Sequence, residues 1–185
     1  MAMDSLENRE EAIFNIEDAK PEDVEMMRTI VRDSWLKLYP NESYGITYQD
    51  LSAIDWFEPS RLDKRRKEIT ENLDISHTWV LKNYQNKIVG FCIASKLDSC
   101  GEIEAMYLLP ELQGKGLGKK LMHKAFEWIG SGLDIILKVV AYNTHAIGFY
   151  KKMGFEETAN EVVFTGTQLP SGKEIPRIEM LRKAR

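Results

Sequence analysis

Apolar residues recur along this chain in two patterns, short runs typical of strands and longer stretches with helical spacing. Each helical stretch has one apolar and one polar face, so it is expected to pack one side against a sheet. Glycine and proline separate the runs and mark the predicted turns. The predicted strands are residues 12–17, 78–84, 87–94, 102–109, 135–140, 161–165 and 175–181. The predicted helices are residues 24–38, 61–73, 117–129 and 143–153.

Within this pattern, several residues make local predictions. The dipeptide Gln85-Asn86 separates two strand runs, which predicts a hairpin. Gly90, inside the second of these strands, predicts a bulge or a close approach of another backbone. The apolar residues of the charged helix, Leu62, Ile69 and Leu73, are expected to face the core.

The length of 185 residues is that of one domain with a sizeable core. Residues 1–11 are acidic and polar and lack the apolar core of a signal peptide, so a frayed N-terminus is expected. Residues 12–185 are then expected to form a single domain. No run approaches the roughly 18 apolar residues of a membrane span.

The charge balance argues against a nucleic-acid surface. The formal net charge is −4, whereas nucleic-acid-binding domains normally carry a basic excess. A basic run at 61–67 is interleaved with carboxylates, so it is interpreted as a solvated helix face. Cys92 and Cys100 form no Cys-x-x-Cys pair, which favours small buried hydrophobes in a reducing cytoplasm. No metal-ligand spacing involves His77 or His123.

The most informative stretch is residues 102–121, a strand followed by a glycine-rich turn and the start of a helix. Alternating glycines at 114, 116 and 118 let the backbone approach a ligand, and free N–H groups at a helix start attract anions. Lysines at 115, 119 and 120 agree with a phosphate-bearing ligand. An ordinary tight turn before a core helix is the alternative.

Two familiar phosphate loops do not fit this stretch. A Walker loop or a dinucleotide fingerprint starting at Gly114 requires glycine at position 119, which is Lys119. A dinucleotide fingerprint starting at Gly116 requires glycine at position 121, which is Leu121. The pattern that fits is Gln-x-x-Gly-x-Gly, beginning at Gln113.

A second pattern lies about thirty residues further on. It is Asn-x-x-Ala-x-x-Phe-Tyr followed by Met-Gly-Phe, comprising Asn143, Ala146, Phe149, Tyr150, Met153, Gly154 and Phe155. With both patterns in this order, the chain resembles the GCN5-related N-acetyltransferase (GNAT) superfamily over residues 78–155. The resemblance implies an α/β sandwich, with a mixed, mostly antiparallel twisted sheet flanked by helices. Its two central parallel strands, 102–109 and 134–141, would splay apart to admit acetyl-CoA.

The resemblance also implies roles for individual residues. The pantetheine arm would pair with the backbone of Met106, Tyr107 and Leu108, and Asn143 would bond the arm or a bridging water. Tyr150 would contact the cosubstrate and protonate the departing thiolate. The pyrophosphate loop would comprise Gly114, Lys115, Gly116, Leu117, Gly118 and Lys119.

A base or a desolvating site is useful for an amine acceptor, because an amine of pKa near 10.4 is protonated at pH 7. Glu102 and Glu104 lie two apart on a strand and share a face. Glu102 is slightly preferred as the base because it matches, without a gap, the base of histone-acetylating relatives. Edge or solvent-facing carboxylates are the alternative.

The resemblance implies an acetyl-CoA-dependent N-acetyltransferase that works by direct transfer and needs no metal. A small primary amine or polyamine is the first acceptor predicted, and a protein N-terminus or lysine the second. Residues 41–76 are expected to determine this choice, with Trp56 and Phe57 interpreted as core residues. Binding to nucleic acid or membrane is not expected, and a homodimer is left open. The alternative function is a catalytically silent acetyl-CoA-binding regulatory module.

Overall fold

The computed structural model describes residues 14–71, 73–158 and 168–184. The predictions for the N-terminal residues 1–13 and for a strand at 161–165 lie outside these ranges. In the described part of the chain, no helix has the length and apolar character needed to cross a membrane.

A single sheet of seven strands forms the centre of the described residues, in the order β1-β2-β3-β4-β5-β7-β6. Neighbouring strands are antiparallel except β4 and β5, which are parallel. This is the mixed, mostly antiparallel sheet that the sequence predicted. The strands are β1 Phe14–Asp18, β2 Ser76–Asn83, β3 Ile88–Lys96, β4 Gly101–Leu108, β5 Ile135–Val140, β6 Glu156–Glu157 and β7 Arg177–Arg182.

Helices cover both faces of the sheet. They are α1 Val24–Leu38, α2 Tyr48–Ser52, α3 Pro59–Glu71, α4 Leu117–Ile129 and α5 Thr144–Lys152. The short α2 was not predicted. It begins with a capping box, in which the Thr47 hydroxyl accepts from the Asp50 N–H and the Asp50 carboxylate accepts from the Thr47 N–H. The two-residue β6 was also missed, because a strand so short carries no periodicity.

Hydrophobic clusters on the two sides of the sheet hold the helices in place. The face under α4 buries Leu121 and Met122 completely. The opposite face packs against α1 and α3, where Leu62 and Ile69 are buried as predicted. The prediction for Leu73 is wrong: its side chain is 52% exposed, because α3 ends at Glu71 and the chain turns away from the core.

Of the two aromatic residues interpreted as core, only one is buried. Trp56 is 8% exposed and packs edge-on against Trp35, with ring centroids 5.3 Å apart. Phe57 is 37% exposed, so its interpretation as a core residue is wrong. The Arg32 guanidinium lies 5.4 Å from its ring centroid and supplies a surface contact instead.

The hairpin and the close approach predicted at Gly90 are both present. The β2–β3 register shifts beside Gly90, and a Cβ added there would lie 2.8 Å from the carbonyl oxygen of Tyr107. A second irregularity affects the site directly. Ile93 pairs with Ala105 and Ala94 pairs with Ile103, so Glu104 is an extra, unpaired residue in β4.

The two central parallel strands splay apart, as predicted. They pair only where Gly101–Ile103 meets Ile135–Leu137, and beyond Ile103 no β5 residue pairs with β4. The bulge at Glu104 lies at the point of divergence, and bulges bend a strand and increase its local twist. A gap therefore opens in the middle of the sheet, between two strands that begin side by side.

Candidate active site

A mostly apolar cleft of about 400 Å³ lies between the start of α4 and the side of α5. Gly114, Gly116 and Gly118 form one wall, and Phe149 and Tyr150 form part of the other. Gly114 and Gly116 have φ angles of 78° and 77°, a left-handed conformation that favours glycine. A Cβ at either position would meet no atom within 4 Å, so the backbone of this loop is open to a ligand.

The N-terminus of α4 has no side-chain cap. Gly116 is the N-cap residue and makes no side-chain hydrogen bond, so N–H groups of the first turn have no intrahelical partner. Together with the helix dipole, these groups favour an anion. Lys119 lines the cleft, whereas Lys115 is exposed and lies outside its walls. Leu117 is 6% exposed, so its side chain belongs to the core and only its N–H can face a ligand.

The gap between β4 and β5 forms a second cavity, of about 260 Å³, which we call the gap cavity. Its walls include residues 103–108 of β4 and 138–140 of β5, and α1 closes it on one side. Met106, Tyr107 and Leu108, predicted as the pantetheine-binding strand, all lie in its wall. Because alternate residues of a strand direct their N–H and C=O groups to the same side, β4 presents unpaired backbone groups to the gap.

Tyr150 lies in the wall of both cavities. Burial raises the pKa of its phenol well above the usual value, and negative charge on Cys92 or Tyr107 would raise it further. The hydroxyl is therefore protonated at neutral pH and can donate a proton. It makes no hydrogen bond to another described residue, so it is available to a ligand.

Asn143 has a structural task as well as a place in the gap cavity. It is the N-cap of α5, where its side-chain oxygen accepts a hydrogen bond from the Ala146 N–H at 3.1 Å. Its side-chain amide also interacts with the Tyr39 hydroxyl, which partly opposes the rise that burial causes in the pKa of that phenol, so a ligand would compete with Tyr39 for this group. His145 is exposed on the first turn of α5 and contributes to the rims of both cavities.

The two candidate bases are placed differently. Glu104, the bulged residue, lines the gap cavity, accepts a hydrogen bond from the Ser95 hydroxyl, and lies 3.4 Å from an Arg65 nitrogen. Ser95 is the register partner of Glu102, so the two carboxylates share a face as predicted. Glu102 does not line the gap cavity. Burial raises its pKa, and the positive charge of Lys138 opposes that rise.

Sequence reasoning missed the aromatic wall that α1 contributes. Trp35 and Tyr39 both line the gap cavity, and the Trp35 indole N–H donates to the Tyr107 hydroxyl at 2.7 Å. Burial raises the pKa of Tyr107, and this hydrogen bond partly opposes the rise. The apolar spacing of α1 predicted that Trp35 would face inward, but not that a cavity would lie beneath it.

Also missed was a third cavity, of about 200 Å³, which adjoins the gap cavity on the α1 side. Arg28, Arg65 and Arg177 line it. Arg28 did leave a signal in the sequence. It lies four residues after Val24 and three before Val31, so it interrupts the apolar face of α1.

The acetyltransferase (GNAT) family model matches residues 25–155, which is more than half of the chain. The chain belongs to the GNAT family. Both patterns that carry the resemblance, beginning at Gln113 and Asn143, lie within the matched region. The family prediction made from those residues is therefore confirmed.

Among curated relatives, the chain is similar to a peptidyl-lysine N-acetyltransferase, YjaB. The Salmonella typhimurium protein is 34% identical over 96 residues, 51% of this chain and 61% of the relative. The Escherichia coli K12 protein is 31% identical over 85 residues, 46% of this chain and 53% of the relative. The chain thus spans about three fifths or less of these GNAT relatives.

Solved GNAT structures share the fold over almost the whole chain. The PaiA N-acetyltransferase of Thermoplasma acidophilum, solved with coenzyme A, has a TM-score of 0.64 at 21% identity, covering 92% of this chain and 98% of its own. The YncA protein of Salmonella typhimurium, solved with acetyl-CoA, has a TM-score of 0.65 at 18% identity, covering 93% and 94%. The predicted fold class is thereby confirmed.

Proposed function

We propose that this protein is an N-acetyltransferase that transfers an acetyl group from acetyl-CoA directly to an amine acceptor. One observation carries the proposal. Tyr150, a protonated phenol, stands in the wall between a cleft that fits an anionic cosubstrate and a gap cavity open to an acceptor.

The residues present fit acetyl-CoA. Open glycines and the uncapped start of α4 suit a pyrophosphate, and the unpaired backbone of β4 suits the amide groups of a pantetheine arm, which can add to a strand edge. Lys119 adds a positive charge. When bound, acetyl-CoA supplies the acetyl thioester.

Direct transfer requires the acceptor to lose a proton and the leaving sulfur to gain one. Deprotonating an amine of pKa near 10.4 at pH 7 costs roughly 4–5 kcal/mol, at about 1.4 kcal/mol per pH unit. In the proposed mechanism, Glu104 accepts that proton, directly or through water; its position in the wall of the gap cavity supports this role. Glu102, preferred from the sequence, lies outside the wall of this cavity and would act on the acceptor only indirectly. In the proposed mechanism, Tyr150 protonates the sulfur.

The acceptor is proposed to be a small amine. The gap cavity is about 260 Å³ and is covered by α1, which suits a small molecule better than a folded protein surface. A peptide lysine is the second candidate, because the YjaB relatives carry the name peptidyl-lysine N-acetyltransferase. A fold neighbour of 18% identity is a spermidine N-acetyltransferase chimera, with a TM-score of 0.61.

The test is release of free CoA over a panel of small amines and lysine peptides, with wild-type protein and Tyr150→Phe. General acid help is typically worth about 10²–10⁴ in rate, so kcat should fall at least tenfold while the Kd for acetyl-CoA stays close to the wild-type value. Tyr84→Phe is the matched control, because Tyr84 is 74% exposed and lines neither cavity.

Two results would contradict the proposal. An unchanged kcat in Tyr150→Phe would remove that residue from the chemistry. Tight acetyl-CoA binding without turnover on any amine or peptide would instead favour the catalytically silent regulatory module.

A further inference from the structure

The third cavity, beneath α1, is basic. Among the described residues, the charged groups in its wall are the guanidinium groups of Arg28, Arg65 and Arg177 and the carboxylate of Glu104. The chain as a whole has a net charge of −4, so the local positive excess does not reflect a basic composition. Fields of one sign in a concave, partly desolvated site concentrate ligands of the opposite sign.

Arg28 is the residue least compensated within this cavity. It is half-buried and makes no ion pair with another described residue. Burial lowers the pKa of its guanidinium, and repulsion by Arg65 and Arg61 lowers it further. Arg65 differs, because it reaches Glu68 at 3.1 Å and Glu104 at 3.4 Å. A half-buried guanidinium beside two others is stabilised by an anion, and its planar fork matches a carboxylate.

This basic cavity and the gap cavity share a wall. Trp35, Glu104, Tyr107 and Arg177 line both of them. A small molecule that lay across this boundary would have its amine near Glu104 and Tyr150 and its anionic group near Arg28. A polyamine would instead bring a second cation to the arginines, which argues against the polyamine predicted from the sequence.

We infer that the acceptor is a small amine that also carries a carboxylate, and that Arg28 binds this carboxylate in the cavity beneath α1. The inference rests on the proposed acetyl transfer and deepens it by naming the acceptor class. Met27 and Val31 share the same cavity, so an aliphatic body between the two polar ends also fits.

The experiment compares acids with their carboxamides. L-leucine and 5-aminopentanoate, each with its carboxamide, are assayed for kcat/KM with wild-type protein and Arg28→Gln. The readout for each acceptor is the kcat/KM of wild-type protein divided by that of Arg28→Gln. Differences in amine pKa between acid and amide cancel in this ratio. Arg66→Gln is the charge-matched control, because Arg66 pairs with Asp63 and Glu25 and lines none of the three cavities.

Arg28→Gln should lower kcat/KM for at least one acid by about 10- to 100-fold, the usual range for losing a hydrogen bond to a charged group. The matching amide should change by less than about threefold, as should all acceptors with Arg66→Gln. Equal losses for acid and amide would overturn the inference, because they indicate a structural role for Arg28. Turnover of amides by wild-type protein with none of the acids would also overturn it.

A binding measurement separates this inference from the proposed transfer. In CoA-saturated protein, the Arg28 Nε–Hε resonance, assigned by its loss in Arg28→Gln, is followed by NMR during titration with each of the four compounds. A shift with an acid but not with its amide supports the carboxylate site, even if no acceptor is acetylated and the transfer proposal fails. No shift with either acid overturns the carboxylate site.

Discussion

Gly118 offers a test in which stability and cosubstrate binding should change independently. It is the second residue of α4 and lies in the cleft wall. A Cβ added there would lie 3.2 Å from the Met106 Cε atom and 3.5 Å from a ring carbon of Phe149. Both contacts are to side-chain atoms, and the methionine end is flexible, so the fold can accommodate a methyl group. The cleft would be narrowed at the same point.

The expected magnitudes follow from this geometry. Alanine is favoured over glycine in a helix by up to about 1 kcal/mol, so Gly118→Ala should leave the free energy of unfolding unchanged or slightly raised. Overpacking a fitted site costs about 1–3 kcal/mol, which corresponds to an increase of about 5- to 160-fold in the KM for acetyl-CoA. Gly116→Ala should instead lower the free energy of unfolding, because a side chain in the left-handed conformation at φ 77° costs about 1–2 kcal/mol.

The assays are thermal unfolding of the ligand-free variants and the KM for acetyl-CoA at saturating acceptor. In a protein of this size, 1 kcal/mol shifts Tm by roughly 2–4 °C. Gly118→Ala should therefore unfold at or slightly above the wild-type Tm, and Gly116→Ala below it. A wild-type KM in Gly118→Ala would refute the idea that the cosubstrate approaches the backbone here. A Tm below wild type in Gly118→Ala would refute the expectation that the fold accommodates the added methyl group.

Two further predictions concern Glu102 and Asn143. Burial raises the pKa of Glu102 above its ordinary 4.5. The favourable contribution of this carboxyl group to the free energy of unfolding is therefore present at low pH and is lost as pH rises through the folded-state pKa. Glu102→Gln should therefore be more stable than wild type at pH 7 but not at pH 4, as measured by urea unfolding; a gain at both would contradict this cause. Asn143→Asp should keep the cap to Ala146 and the stability while raising the KM for acetyl-CoA, whereas Asn143→Ala should also lose about 0.5–2 kcal/mol of stability. Equal stability of the two Asn143 variants would show that the cap contributes little.

The predictions that held depend on local sequence. The amphipathic spacing of α4 and the start of α5 near Asn143 are properties of a few consecutive residues. The order of elements and the two GNAT patterns are likewise readable along the chain. Leu73 and Phe57 show the limit of such reasoning, because each carries an apolar side chain at a plausible position but the chain turns it outward.

The proposed base shows the same limit within the site. The resemblance slightly favours Glu102, whereas in the structure Glu104, the extra residue of the β3–β4 bulge, lines the gap cavity and Glu102 does not. The bulge depends on pairing with a strand several residues away, which no spacing within β4 records.

The sequence by itself determined the family, the strand–loop–helix unit for an anionic cosubstrate, and Tyr150 as the proton donor to test, because these features are short motifs. Only the tertiary structure placed the three arginines of α1, α3 and β7 around one cavity beside Glu104. Those residues lie far apart along the chain and acquire a shared electrostatic field only when the helices pack on the sheet. The acceptor preference that we propose rests on that field, so it could not be derived from the order of residues alone.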